Sequence, residues 1–262
     1  DDRADIGIAD NDGPVVWDVC ESPIQSYALV ALGNLFRMAN GDSGVNGTVG
    51  VEAGVVLDFS SGGISGPFHV DFPLTGGLGS VDTLPGAGGV PVTPIDVDMT
   101  LIANEIARLA NGATQLAPTQ TFGVINNPTT INATEPDGQN VILVQSINLS
   151  GGDVLTLSGT ADDFFVINVE EDIRIGATSQ FVTSGGLLPS RIFVNMLPGA
   201  TELRLSGQGT TYNGTFLAAY PGNFVTGSGG NSVLNGAIFA NDVSLTGTLI
   251  NHTSFGCGAD VS

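Results

Sequence analysis

Lysine is missing altogether. Six arginines face 26 acidic side chains, and the formal net charge is -20 at pH 7. A conventional nucleic-acid binder is thereby excluded, because recognition of phosphate needs a basic footprint. Charge-driven docking on anionic lipid is argued against in the same way. Charged residues make up only 12% of the chain against 42% hydrophobic ones, which separates it from disordered acidic tails. An acidic surface suits an extracellular or saline setting, where cations screen it. No run of 18 apolar residues occurs, so no transmembrane segment is expected. Cysteine is scarce: Cys20 and Cys257 lie near opposite ends, in Gly- or Asp-rich stretches. In a secreted protein they are expected to form a disulfide that ties the ends together, with two unrelated buried thiols as the alternative. The start at Asp1 fits the product of signal-peptide cleavage.

Catalytic motifs are equally scarce. There is no G-x-S-x-G, no H-E-x-x-H and no glycine-rich phosphate loop. The two histidines, His69 and His252, are far apart in sequence. Asp162-Asp163 and Glu170-Glu171-Asp172 with Arg174 are the only acid clusters near a base that could act on a sugar. They flank strand ends, where solvated turn residues are expected, and one Trp with three Tyr offers few sugar platforms. The chain is read as not an enzyme.

What the chain has in abundance is short strands. Between Val141 and Phe255 the apolar cores VILV, VLTL, FFVINV, RIFVNM, ELRL, TFLAA, VLNGAIFA and VSLTGTLI follow one another, punctuated by some of the 38 glycines. β-branched and aromatic residues fill them and turn residues separate them. Leu155 and Leu157 alternate with Thr156 and Ser158, as do Leu203 and Leu205 with Arg204 and Ser206, which is the in-and-out period of a strand. Residues 26–72 read the same way, and 73–96 form a Gly/Pro-rich loop. One helix breaks the pattern: over 98–111, Met99, Ile102, Ile106, Leu109 and Ala113 share a face. Asp98 or Asp96 is placed to cap it and Gly112 to end it. Such a stripe must lie on the sheet, with Glu105 and Arg108 paired on the outer side.

The phrases FFVINV, NGTFLAA and LNGAIFANDVSLTG, with the helix TLIANEIARLANGA before them, resemble the ice-binding-protein-like family. A sister family of anchored bacterial surface adhesin-like domains uses similar phrases. The resemblance covers roughly residues 26–255. It implies a mostly β fold, a right-handed three-sided β-solenoid with one α-helix alongside, and also secretion without catalysis. Residues 26–262 then form the solenoid domain and 1–25 an N-terminal extension.

Within the extension, Asp10 and Asp12 are the only calcium candidates, in a D-x-D-G fragment that lacks the first EF-hand ligand. No other cofactor is expected. Val15, Val16, Trp17 and Val19 form a short strand that can cap its own solenoid or add to a neighbour's open edge. A head-to-tail contact of that kind builds a homopolymer filament. The residues therefore favour a secreted, non-catalytic structural or extracellular-matrix protein, self-assembling through this strand. The alternative is ice binding by a flat solenoid face, for which Ser244, Thr246, Thr248 and Thr253 are the candidates. A third reading is adhesin-type binding of a carbohydrate or surface. Outward positions elsewhere, such as Asn168, Arg174, Asn195 and Arg204, are too mixed for an ice plane. Five N-x-S/T sequons, at Asn46, Asn132, Asn148, Asn213 and Asn251, barely exceed the about three that composition alone gives.

Overall fold

The computed structural model describes residues 22–39, 42–71, 93–135 and 138–254. Asp10, Asp12, the strand at 15–19, Cys20 and Cys257 lie outside them. Among the described residues, twenty strands, all paired in parallel, coil into a β-solenoid of about nine turns with a single α-helix. The strands fall on three faces, and a full turn contributes one strand to each.

The first face is the long one. From one end of the stack to the other it runs β9 (Gln120–Ile125), β11 (Gln139–Leu149), β13 (Phe164–Val169), β16 (Ile192–Met196), β18 (Thr211–Ala218), β19 (Phe224–Ala240), β1 (Tyr27–Ala31), β4 (Thr48–Val51), β7 (Phe68–Val70) and β8 (Pro94–Asp96). The second face continues from β11 through β14 (Ile173–Ala177), β17 (Glu202–Gly207), the start of β19, β20 (Asp242–Asn251), β2 (Leu35–Met38) and β5 (Val56–Phe59). The third comprises β10 (Thr129–Asn132), β12 (Val154–Ser158), β15 (Gln180–Ser184), the start of β18, the middle of β19, the end of β20, β3 (Gly44–Asn46) and β6 (Gly63–Ile64).

Chain order and stack order differ. The first strands, β1 to β3, lie mid-stack against β19 and β20, with Leu29 opposite Ile238, Phe36 opposite Val243 and Val45 opposite Ile250. From this seam the chain coils out to β8 at one end. The helix carries it back along the first face to β9 at the other end, and the coil then returns to the seam. Asp242 fastens the seam by accepting hydrogen bonds from the N–H groups of Asn34 and Leu35.

Inside, one side chain per turn stacks on the next. The third face supplies the column Leu155, Phe181, Tyr212, Leu234, Ile250, Val45, Ile64, each fully or almost fully buried. Strands on the second and third faces alternate buried and exposed, as β12 and β17 do. Strands of the first face, such as β1 and β16, are buried on both sides, because a helix covers their outer surface.

That helix, α1 (Thr100–Gln115), lays Ile102, Ile106, Leu109, Ala110 and Ala113 on Val141, Val166, Phe193, Leu217, Phe239 and Val30. Each large side chain so buried stabilises by roughly 1.5–3 kcal/mol. Gly50 leaves room beneath for Met99 and Tyr27. Asp98 accepts from the Thr100 N–H at 2.9 Å, and Asp71 from another turn reaches the Met99 N–H at 3.4 Å. The expected end at Gly112 is corrected: Gly112 lies within the helix, which runs to Gln115. Two buried asparagines hold this last turn, Asn168 Nδ2 donating to the Ala113 carbonyl at 2.7 Å and Asn195 Nδ2 to the Ala110 carbonyl at 3.3 Å. They lie beneath the helix and not on an outer face, which corrects their reading as outward decoration.

Candidate functional surface

With the first face covered, two faces of the solenoid stand open to solvent, and their chemistry differs. On the second, one outward column reads Asn148, Arg174, Arg204, Thr226, Ser244, Arg37, Asp58. Ion pairs cross it: Arg174 to Asp172 at 2.8 Å and to Glu202 at 2.7 Å, Arg204 to Glu202 at 3.3 Å, and Arg37 to Asp58 at 3.3 Å. Exposed pairs of this kind add little stability, but they fill the face with long, strongly hydrated groups.

The third face carries no charged side chain in any of its eight strands, although the chain bears a net charge of -20. Its outward column begins with Thr130, Thr156 and Val182 and continues as Asn213, Asn235, Asn251 and Asn46. Beside it run Asn132, Ser158 and Ser184 on one flank. Thr211, Val233, Leu249 and Gly44 flank the asparagines on the other. Parallel pairing sets successive turns about 4.8 Å apart, so these small hydroxyl, methyl and amide groups form straight rows on a rigid backbone.

The asparagines also stitch the turns together. Asn235 Nδ2 donates to Asn213 Oδ1 at 3.0 Å, Asn46 Nδ2 to Asn251 Oδ1 at 2.7 Å, and Ser65 Oγ to Asn46 Oδ1 at 3.2 Å. Each asparagine ends its third-face strand, and Gly214, Gly236, His252 or Gly47 turns the corner. The three glycines have φ of +120°, +154° and +146°, and a Cβ on Gly236 would run into the Gly214 carbonyl. Three of the five sequons, at Asn46, Asn213 and Asn251, belong to this corner motif.

The four hydroxyl residues expected to form an ice plane do not share one. Ser244 lies on the charged second face beside Arg37 and is nearly buried, and Thr246 ends that face with its hydroxyl toward the Gly227 carbonyl. Thr248 is fully buried, because the corner at Gly247 (φ +111°) resets the alternation; it cannot meet a surface. Thr253 follows the end of β20.

The acid clusters are corner pins. Asp163 is 2% exposed and accepts from the N–H and hydroxyl of Thr160. Asp172 accepts from the N–H groups of Thr201 and Glu202, both at 2.9 Å. Burial works to raise the Asp172 pKa, but those two N–H groups, the Thr201 hydroxyl and Arg174 together hold it below the usual carboxylate range. His69 shares a 2.8 Å hydrogen bond with the Tyr27 hydroxyl under the helix, and burial lowers its pKa. Among the described residues, no group of three side chains is placed to hold a metal ion. No described helix is long and apolar enough to cross a membrane.

Comparison with known proteins meets this geometry. Residues 10–252 match the model of the family described as "Putative Ice-binding-like adhesive domain". The chain belongs to this ice-binding-like adhesive family. Its solenoid is similar to that of an ice-binding protein from an Arctic yeast, at 18% identity and a TM-score of 0.58, over 91% of this chain and 95% of that one. An ice-binding protein from the Antarctic ascomycete Antarctomyces psychrotrophicus matches at 16% identity and 0.59, over 89% and 96%. The ice-binding protein 1 domain of Shewanella frigidimarina matches at 15% and 0.55, over 87% and 92%. No curated protein matches the chain in sequence. At these identities the solved structures speak for the fold of the family member and not for its ligand.

Proposed function

We propose that the chain is a non-catalytic extracellular domain that binds ice through its third face. The single observation that carries this reading is a face of eight stacked strands with no charge, on a protein of net charge -20. Ordered water at a crystal surface is met by regularly spaced small groups held rigid, and is disturbed by mobile charged ones. The rows led by Thr130, Thr156, Asn132 and Ser158 meet that requirement, whereas the arginine-bearing second face does not. The family's description and the names of its structural neighbours agree with the reading. It places ice binding above the structural, self-assembling role, whose expected strand at 15–19 lies outside the described residues.

The test is inhibition of ice recrystallisation together with thermal hysteresis on the purified chain. Thr156→Tyr, which raises a bulky ring in the middle of the third face, is expected to abolish the activity with an unchanged melting temperature. Thr226→Tyr on the second face is expected to leave it intact. Loss of activity only on the second-face change would assign the ice surface to the wrong side of the solenoid, and absence of activity in the unmodified chain would sink the proposal outright.

A further inference from the structure

Away from both open faces, a groove of about 380 Å³ lies between the last turns of α1 and the corners that join the first face to the second. It is lined by Asn111, Thr114, Glu170, Leu197, Pro198 and Tyr220. This is the size of a small-ligand site. Its walls are fixed from behind. Asn168 and Asn195 clamp the helix carbonyls on either side of Asn111. The Glu170 N–H donates to the Val144 carbonyl at 3.0 Å and the Leu197 N–H to the Val169 carbonyl at 2.8 Å. The Tyr220 N–H donates to Asn223 Oδ1 at 2.8 Å, and Asn223 is itself tied to the Ala200 carbonyl.

The polar ends that reach the groove are not so occupied. The side chains of Asn111, Glu170 and Tyr220 make no hydrogen bond or ion pair among the described residues. Only Thr114 is engaged, donating to the Asn111 carbonyl at 2.6 Å. A preorganised wall with free donors and acceptors loses little entropy when a ligand binds.

The geometry points to a binding site for a neutral hexopyranose unit. Tyr220, one of only three tyrosines in the chain, lines the groove together with Leu197 and Pro198, an aromatic and apolar set that suits the C–H side of a sugar. The Asn111 amide supplies two N–H donors and one acceptor, the Tyr220 phenol a donor, and the Glu170 carboxylate two acceptors. A polyol answers both kinds of group. An ammonium ligand would leave the amide and phenol donors without acceptors. An anion would meet Glu170, with Glu171 and Asp172 following it in sequence and no arginine in the lining. The site is separate from the third face and does not rest on ice binding.

The experiment is saturation-transfer NMR on the whole chain with methyl β-glucoside, methyl β-galactoside and N-acetylglucosamine, each at about 5 mM, a concentration suited to a weak single-unit contact. Transfer to at least one of them is expected, strongest at ring C–H protons. Tyr220→Ala, measured well below its melting temperature because the ring also packs against the core under α1, should reduce it at least five-fold, and Thr226→Tyr should not alter it. Absence of transfer to all three sugars overturns the inference. So does transfer that survives Tyr220→Ala, or binding of choline chloride in their place.

Discussion

Asn168 offers the sharpest check on how the helix is held to the solenoid. It is 4% exposed, donates to the Ala113 carbonyl at 2.7 Å and accepts from Asn195 Nδ2 at 2.9 Å. Asn168→Ala removes both bonds, each contributing about 1 kcal/mol net. Asn195 keeps its bond to Ala110, but the Ala113 carbonyl keeps only the Leu116 N–H at 3.4 Å. That poorly satisfied carbonyl adds about 1–2 kcal/mol, so the expected loss is about 3–4 kcal/mol. In a chain of this length each kcal/mol moves the melting temperature by about 2–4 °C, which gives a fall of roughly 6–16 °C. Urea denaturation with an unchanged m-value is the direct assay. A loss below about 0.5 kcal/mol would falsify the account of the clamp. Asn168→Asp adds a second check. Its buried carboxyl would titrate above the ordinary value of about 3.9, since only the protonated form can donate to Ala113. The stability this proton supplies is present below the unfolded pKa and lost as pH rises through the folded one. The variant should therefore fall further behind the parent at pH 7 than at pH 3; the opposite order would show that the side chain does not face the carbonyl.

Three further outcomes are expected. Gly236→Ala should destabilise by at least about 3 kcal/mol in denaturant titration, since its Cβ collides with the Gly214 carbonyl at a left-handed φ; Gly222→Ala, at φ +90° but in open space, should cost only about 1 kcal/mol. Asp172 has a lowered folded pKa, so its contribution exists above the unfolded pKa and disappears as pH falls through the folded one; Asp172→Asn should narrow the stability difference between pH 7 and pH 2, and an unchanged difference would refute its role as a corner pin. Gln25 and His252, five residues from Cys20 and Cys257 respectively, are joined by a hydrogen bond that the His252 ring donates to the Gln25 backbone carbonyl. A bridge between the two cysteines should contribute about 2–4 kcal/mol, read as a lower denaturation midpoint after reduction, and a midpoint indifferent to reductant would remove it.

The helix was legible because its signal is local: a 3.6-residue period names the buried face whatever lies beneath it. Its end was not, because Gly112 marks a stop only until Asn168 and Asn195, more than 50 residues away in sequence, supply partners for the last carbonyls. The strands were legible for the same local reason, and their solenoid arrangement through the resemblance of their phrases. Which open face a strand serves was not. Alternation predicts that Ser244, Thr246 and Thr248 point one way, but Gly247 turns a corner between the last two and reverses the phase. The uncharged face is likewise invisible along the chain, where Thr130, Thr156 and Asn235 are far apart and ordinary; only stacking lines them up. The Asn-Gly-Thr steps at Asn46 and Asn213 coincide with a corner code that builds the asparagine column, which their spacing along the chain does not reveal.

The seam at β1 sets an order of assembly. Leu29, Val30 and Ala31 meet their partners at Ile238, Phe239 and Ala240, so β1 to β3 acquire one of their two neighbours only after about 200 further residues have been made. Until then one edge of β1 to β3 is unpaired, and the apolar side chains of Leu29, Phe36 and Val45 have nothing stacked on the seam side. Contacts of such separation are slow to close, and open edges invite association between unfinished chains. An uncharged outer face would add to that hazard. The acidic surface elsewhere, by keeping chains apart while the seam is open, then serves biogenesis as much as the finished fold.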